Sequence, residues 1–435
     1  MPTLNKIRAA LPRSLRGTPV PRGPAGARLA RLRTVLTVFF ALDGFVFAGW
    51  VVRIPDIKDQ TGASPSALGL ALLGVSAGGV ATMVLTGGLI RRYGAHAVTV
   101  GTAVLLSVGV MLPPLTRSAL ALGLVLLVFG AAFGSINVAM NSAAVDLVAA
   151  LRRPVMPSFH AAFSLGGMLG AGLGALVAGH LSPTRHLLLL ALLGLAVTAF
   201  AGPALLALPA AKPPPAPAPA GSDTDADAPG VPGGEPGGGP AAAEPTAGRT
   251  RLLVAVLGLV ALCTAYGEGA MADWSALHLK ESLDAGPGLA AAGYSVFALA
   301  MTAGRLSGTA LLLRLGQNRA LVAGGATACA GMLLGSFSPS VWGALVGFAL
   351  TGLGLANIFP IAIGRAGELA GPHGVAVAST LGYGGMLLGP PAIGFLADWF
   401  SLRAALSTVA LLAGAASVIA YAMQAGQQAA GARRR

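Results

Sequence analysis

The sequence predicts an all-α membrane protein: twelve transmembrane helices in two pseudo-symmetric six-helix bundles. Three observations predict it. The composition is too apolar for water, the apolar runs have membrane length, and the first six runs resemble the last six. Of the 435 residues, 55% are hydrophobic and only 10% are charged, with a mean hydropathy of +0.76. An ordinary soluble chain is about 25% charged, so lipid must solvate this one. The 63 glycines agree, because glycine lets packed membrane helices approach closely.

Runs of roughly 20 apolar residues, bounded by charge or by Pro/Gly turns, predict spans. The first six cover residues 34–54, 66–90, 97–115, 119–141, 159–181 and 187–208. The second six cover 252–277, 289–313, 319–337, 341–363, 375–397 and 403–422. Between the sets lies AKPPPAPAPAGSDTDADAPGVPGGEPGGGPAAAEPTAGR, residues 211–249, with no apolar period. Such a composition predicts a disordered linker. The expected organisation is a basic cytoplasmic tail over 1–33, a first bundle over 34–208, a cytoplasmic linker over 209–250, a second bundle over 251–423 and a cytoplasmic tail over 424–435.

Charge sets the orientation. With both termini inside, 21 of the 28 Lys and Arg lie inside. Six lie outside: Arg53, Lys58, Arg117, Arg185, Lys280 and Arg403. Arg305 falls within the membrane. The acid-free tail KIRAALPRSLRGTPVPRGPAGARLARLR adjoins the first span and decides the topology. The net charge of +13 therefore reads as positive-inside anchoring and not as nucleic-acid binding. No small-residue cleavage site follows the tail, so it reads as uncleaved. Cys263 and Cys329 sit in apolar runs without metal-ligand or CxxC spacing, and no metal or cofactor is expected.

The halves repeat. DGFVFAGW (43–50) matches EGAMADW (268–274), Pro65 matches Pro287, and RYG (92–94) matches RLG (314–316). Asn137 matches Asn357, and LGGMLG (165–170) matches YGGMLLG (383–389). The two proline and loop matches share an offset of 222. An even number of spans per unit makes the repeats parallel, with a site between them near the midplane.

Here a resemblance enters. Six plus six spans with a central cytoplasmic linker resemble the major facilitator superfamily. The loop GGLIRRYGAH is similar to that superfamily's G-x-x-x-D-R-x-G-R-K/R motif at Gly87, Arg92 and Gly94. It departs from the motif at Arg91, which stands in the acidic position, and at Ala95 and His96. The resemblance implies that this loop, with Arg314 and Gly316 in the second half, helps gate the cytoplasmic side. GWVVRIPDIK, ALGLALLG, PSFHAAFSLGG, EGAMADWSA and GPPAIGFLAD together resemble poorly characterised bacterial inner-membrane transporters related to the fucose-permease type.

Few polar residues lie within spans, and those mark the chemistry. Asp43 is about ten residues into the first span, with Phe47 and Trp50 on its face. Glu268 is its repeat counterpart, and Asp273 lies one turn nearer the outside. Burial disfavours an ionised carboxylate, so one exposed alternately to two sides can take up and release a proton. The bland alternative is a hydrogen-bonded structural carboxyl. Asn137 and Asn141 share a helix face and Asn357 repeats the first. Amides suit polar solutes, and they also serve as glue between spans. His160 begins the fifth span, where a wet, gate-lining histidine is ordinary. Arg305 reads either as a snorkelling side chain or as a buried ion pair or substrate-carboxylate clamp. Trp50 and Trp274 end spans on the outer side, as interfacial belt residues do, or offer a stacking surface. Arg53, Asp56 and Lys58 read as a solvated turn.

No nucleotide-binding loop, HExxH, GxSxG or dinucleotide motif is present, so an enzyme is not expected and an ion gradient is the expected energy source. The reading is a monomeric, proton-coupled secondary transporter of the inner or plasma membrane, moving a small polar or amphipathic solute by alternating access. Symport is favoured because antiporter branches of the superfamily carry a Gly-Pro signature in the fifth span, and FSLGGMLGAGLGALVAG has none. The alternatives are an efflux antiporter for drugs or secondary metabolites and a transporter-like solute sensor.

Overall fold

The computed structural model describes residues 23–151, 155–209 and 247–432. Most of the expected N-tail and linker, and the chain's last three residues, lie outside them. The described residues form helices α1 (Pro24–Val51), α2 (Ile54–Thr61), α3 (Pro65–Tyr93), α4 (Ala95–Gly109), α5 (Ala119–Leu151), α6 (Met156–Val177), α7 (Pro183–Leu206), α8 (Ala247–Leu283), α9 (Pro287–Phe337), α10 (Val341–Leu355), α11 (Ile358–Trp399) and α12 (Leu402–Ala432). Eleven stretches among them are long and apolar enough to cross a membrane. The second limb of α11, the eleventh span in order, brings the number to twelve.

Helices outrun the apolar runs. α1 starts ten residues before its run, through Arg28, Arg31 and Arg33, because arginine is a good helix former and continues the helix into water. Starts are marked by Pro at the first turn of α3, α7 and α9, where the missing N–H costs nothing. The Ser64 and Ser182 hydroxyls cap two of these by accepting from Ala67 N–H and Arg185 N–H. α9 holds the eighth and ninth spans, which meet at Gly316 (φ 74°). The tenth span is α10 plus the first limb of α11. Asn357 stands at the break between the two helices, and the limbs of α11 meet at Ala370 and Gly371.

The duplication is visible in the backbone. Gly94 (φ 83°) and Gly316 make the same left-handed turn after the second and eighth spans. Gly62 (φ 61°) and Asp284 (φ 52°), again 222 positions apart, make another before Pro65 and Pro287. Aspartate is one of the few side chains that tolerates this conformation.

Packing repeats too. Gly166 and Gly170 of α6 lie on the Ala41 and Phe45 backbone of α1, and Gly385 and Gly389 of α11 lie on Leu262 and Tyr266 of α8. This is the small-residue spacing by which membrane helices approach.

The two bundles meet at one end, the end that carries α2. There Gly69 and Pro65 of α3 pack on Pro390 and Gly394 of α11. Ala48 and Val52 of α1, Ala171 of α6 and Ala291 of α9 form a small buried cluster across the interface, with the Tyr294 ring against it. Among the described residues, every hydrogen bond and ion pair between the bundles also lies at this end.

Candidate functional site

Asp43 is fully buried on α1, and neither carboxylate oxygen has a hydrogen-bond partner. Gly44 explains how α1 holds it there. A β-carbon at that position would collide with the Phe163 carbonyl, so glycine lets α1 rest directly on α6. The Asn137 side chain of α5 lies beside Asp43. The Asn137 side-chain oxygen accepts from Asn141 Nδ2 at 3.0 Å, and the Asn137 backbone carbonyl accepts from the same nitrogen at 2.8 Å. The Asn137 amide oxygen is thereby engaged, and its NH2 group remains for the acid. Three residues singled out separately in the sequence thus form one row: Asp43, Asn137, Asn141.

The second bundle uses the equivalent positions differently. Glu268 of α8 accepts from Arg305 of α9, whose single Nη2 reaches both carboxylate oxygens at 3.0 and 3.1 Å. This pair is only partly covered, with side chains 25% and 42% exposed. The first-bundle residue at the repeat position of Arg305 is Met83, so Asp43 lacks the cation that Glu268 has. Asn357 donates to the Gly304 carbonyl at 2.9 Å and lies against Gly308. It therefore fixes the turn of α9 that carries Arg305.

His160 is exposed on α6, edge-on to the Phe40 ring at 5.7 Å, and within electrostatic range of Arg305 across the bundle interface. Asp273 is half-buried one turn beyond Glu268. Tyr294 was missed by the sequence reading. It sits between the cross-bundle cluster and the ion pair, within range of Glu268, Arg305 and Asp273. Its ring character at a span interior was the only signal.

Two expectations are corrected. Trp50 and Trp274 are buried at 1% and 0% exposure, Trp50 tilted against Phe129 at 6.3 Å, so neither is an interfacial belt residue and neither offers an open stacking face. Nor is Arg53 in a solvated turn. It is fully buried and donates to His186 Nδ1 at 2.9 Å, Asp56 at 2.9 Å and the Ala178 and Leu181 carbonyls at 3.3 and 3.0 Å. The Ala178 carbonyl caps the end of α6 and the Leu181 carbonyl lies in the turn that follows, and an arginine fork suits such unpaired carbonyls.

Beyond Arg53 the charges of α2 cross the interface. Lys58 pairs with Glu281 at 2.6 Å, Lys280 with Asp59 at 2.5 Å and, more loosely, with Asp56 at 3.9 Å. Lys58 and Lys280 are repeat counterparts, as are Asp59 and Glu281. The two pairs are therefore the same contact exchanged between bundles, a reciprocal clasp. Nearby, Asp398 accepts from the Ser66 N–H at 2.9 Å. At the opposite end Arg91, Arg92 and Arg314 are exposed, Arg92 lies over the Tyr93 ring at 5.2 Å, and no ion pair holds them among the described residues.

The sequence matches the Major Facilitator Superfamily over residues 34–333 and again over 257–428. It is 35% identical over 377 residues to an uncharacterized MFS-type transporter of Yersinia pestis, covering 86% of this chain and 91% of that one. Among solved structures, its fold is similar to the nucleoside transporter NupG (TM-score 0.65, 14% identity, 91% of this chain and 98% of that one). It is also similar to a bacterial homolog to human lysosomal transporter, Spinster, in an inward-facing and unoccupied conformation (TM-score 0.69, 13% identity, 91% and 96%).

Proposed function

The chain belongs to the major facilitator superfamily and is a multi-pass secondary transporter of small solutes, and from that premise we propose that it couples solute movement to protons, by symport, through Asp43 and Glu268. The observation that carries this reading is the setting of Asp43: full burial, no cationic partner among the described residues, and only the uncharged Asn137 amide beside it. An ionised carboxylate there costs several kcal/mol without compensation, and a protonated one does not. In this conformation Asp43 accordingly holds a proton. Rocking of the bundles that wets the row of Asp43, Asn137 and Asn141 releases it on the other side.

The clasped end is the outer end in our reading, with both termini cytoplasmic and the protein a monomer in the inner or plasma membrane. The opposite end, where no hydrogen bond or ion pair joins the bundles among the described residues, then faces the cytoplasm. Glu268 is the second coupling group, and Asn357, His160 and Asp273 border the solute path. The motif strings support a branch related to the fucose-permease type. Sensing without transport is disfavoured, because the chain belongs to a family of transporters.

The test begins with a thermal-shift screen of the purified protein against sugars, organic acids, nucleosides and drugs, since a ligand of the folded state raises the melting point. The selected solute is then followed in proteoliposomes under an imposed pH gradient. Accumulation that a protonophore collapses is expected. Binding without counterflow would instead make the protein a sensor, and accumulation indifferent to protonophore would remove the proton.

A further inference from the structure

We propose that the transported solute is a small organic carboxylate, that its carboxylate replaces Glu268 on Arg305, and that Glu268 takes up a proton as it is displaced. This rests on the transporter reading above and adds the substrate class and the site.

The geometry of the ion pair points there. A guanidinium and a carboxylate satisfy each other best as two parallel N–H···O bonds. Arg305 instead offers Glu268 one nitrogen, Nη2, for both oxygens. Its Nε and Nη1, three N–H donors, make no hydrogen bond among the described residues, and the side chain is 42% exposed. A planar fork is therefore left open inside the membrane span. The first bundle has Met83 at the equivalent repeat position, so the cation is particular to the second bundle.

The surrounding charge selects the solute's sign. Glu268 is neutralised by Arg305, and Asp43 is shut away from solvent. Of the other ionisable groups facing the pair, His160 comes from α6, Tyr294 from α9 and Asp273 from α8 itself. The face of α11 against α8 presents Gly385 and Gly389, which carry no charge. An entering cation meets the Arg305 guanidinium. A neutral polyol finds two of the three asparagines already spending donors on helix contacts, Asn141 on Asn137 and Asn357 on Gly304, and the third, Asn137, beside the buried Asp43. A carboxylate finds three unused N–H groups on Arg305.

Charge balance completes the step. The incoming carboxylate forms hydrogen bonds to Arg305, the Glu268 bonds to Nη2 break, and one proton from solution binds Glu268. The site keeps its net charge, and one proton enters with one anion. Binding of each then favours binding of the other. Tyr294, whose ring rests on the cross-bundle cluster, joins the occupied site to the seal above it.

The experiment is thermal shift and equilibrium binding on the full chain with defined probes: propionate, succinate and gluconate as carboxylates, glycerol 3-phosphate as a phosphate ester, glucose and uridine as neutral solutes, putrescine as a cation. One of the carboxylates should bind, up to tenfold tighter per pH unit of acidification. Glu268→Gln should bind it several-fold more tightly and without pH dependence. Arg305→Gln should lose it, and Arg305→Lys should weaken it at least tenfold. Because Arg305→Gln leaves Glu268 alone, the neutral pair Glu268→Gln with Arg305→Gln serves as the folded control and should also fail to bind. Binding of the phosphate ester, a neutral solute or putrescine in place of the carboxylates, or carboxylate binding that survives Arg305→Gln, overturns the proposal. If a neutral solute is carried with protons, this inference fails and the coupling reading stands. If a carboxylate binds as described but is not carried, the inference stands and the transport reading fails.

Discussion

Removing the reciprocal clasp should open the end of the protein that carries α2. The perturbation is Lys58→Gln with Lys280→Gln, which dissolves both cross-bundle pairs and leaves the helices unchanged. The structure sets the magnitude. Lys58 is 14% exposed and Glu281 34%, so that pair lies toward the top of the range for surface ion pairs, about 1 kcal/mol. Asp59 is 58% exposed, so its pair with Lys280 contributes only about 0.2 kcal/mol. Together they favour the closed end by about 1.2 kcal/mol, or about eightfold in population. Ala291, 1% exposed beneath the clasp, reports the opening. With Cys263 and Cys329 replaced, Ala291→Cys is labelled by a membrane-impermeant maleimide added from the clasp side. The double variant should react about eight times faster than its parent, and the exchanged pair Lys58→Glu with Glu281→Lys should return the rate toward the parent's. Equal rates in all three proteins would show that the clasp does not hold the bundles together.

Three further outcomes follow from the packing. Gly44→Ala should cost about 1–3 kcal/mol, read as a lower melting temperature in detergent, because the new methyl meets the Phe163 carbonyl and must push α1 from α6. Arg53→Gln should cost about 2–3 kcal/mol in the same assay, below the value for a fully buried pair because Asp56 is 27% exposed. Asn357→Ala should cost about 1 kcal/mol, the value of one hydrogen bond to the Gly304 carbonyl, while Ala291→Cys labelling keeps its parental rate.

The spans were legible because lipid demands uninterrupted apolar length, and the repeat was legible in strings that control the backbone. Pro65 and Pro287 start helices, and the matched Gly94 and Gly316 both take positive φ in the structure. Which side of a span faces lipid was not legible. Trp50 and Trp274 end apolar runs, and a belt residue and an interior residue look the same there; helix packing decides between them. The charges of α2 misled for a related reason. IKD at 57–59 and LKE at 279–281 obey the 222-residue offset, but a charged loop reads as solvated until a partner loop is placed opposite it. Arg53 was hidden because two of its partners are backbone carbonyls, which every sequence has, and a third, His186, lies 133 residues away. The candidate site was legible as a set of residue types and not as an arrangement. Asp43 with Asn137, and Glu268 with Arg305, required knowing which spans are neighbours.

The central claim is that Asp43 carries a coupling proton. The direct measurement compares two fluxes of the same solute through Asp43→Asn in proteoliposomes: accumulation driven by a pH gradient, and counterflow, which needs no driving force. The asparagine side chain matches the neutral acid in shape and sits in a pocket that already excludes charge. The account predicts that gradient-driven accumulation is lost while counterflow continues. Accumulation at the parental rate in Asp43→Asn would contradict it.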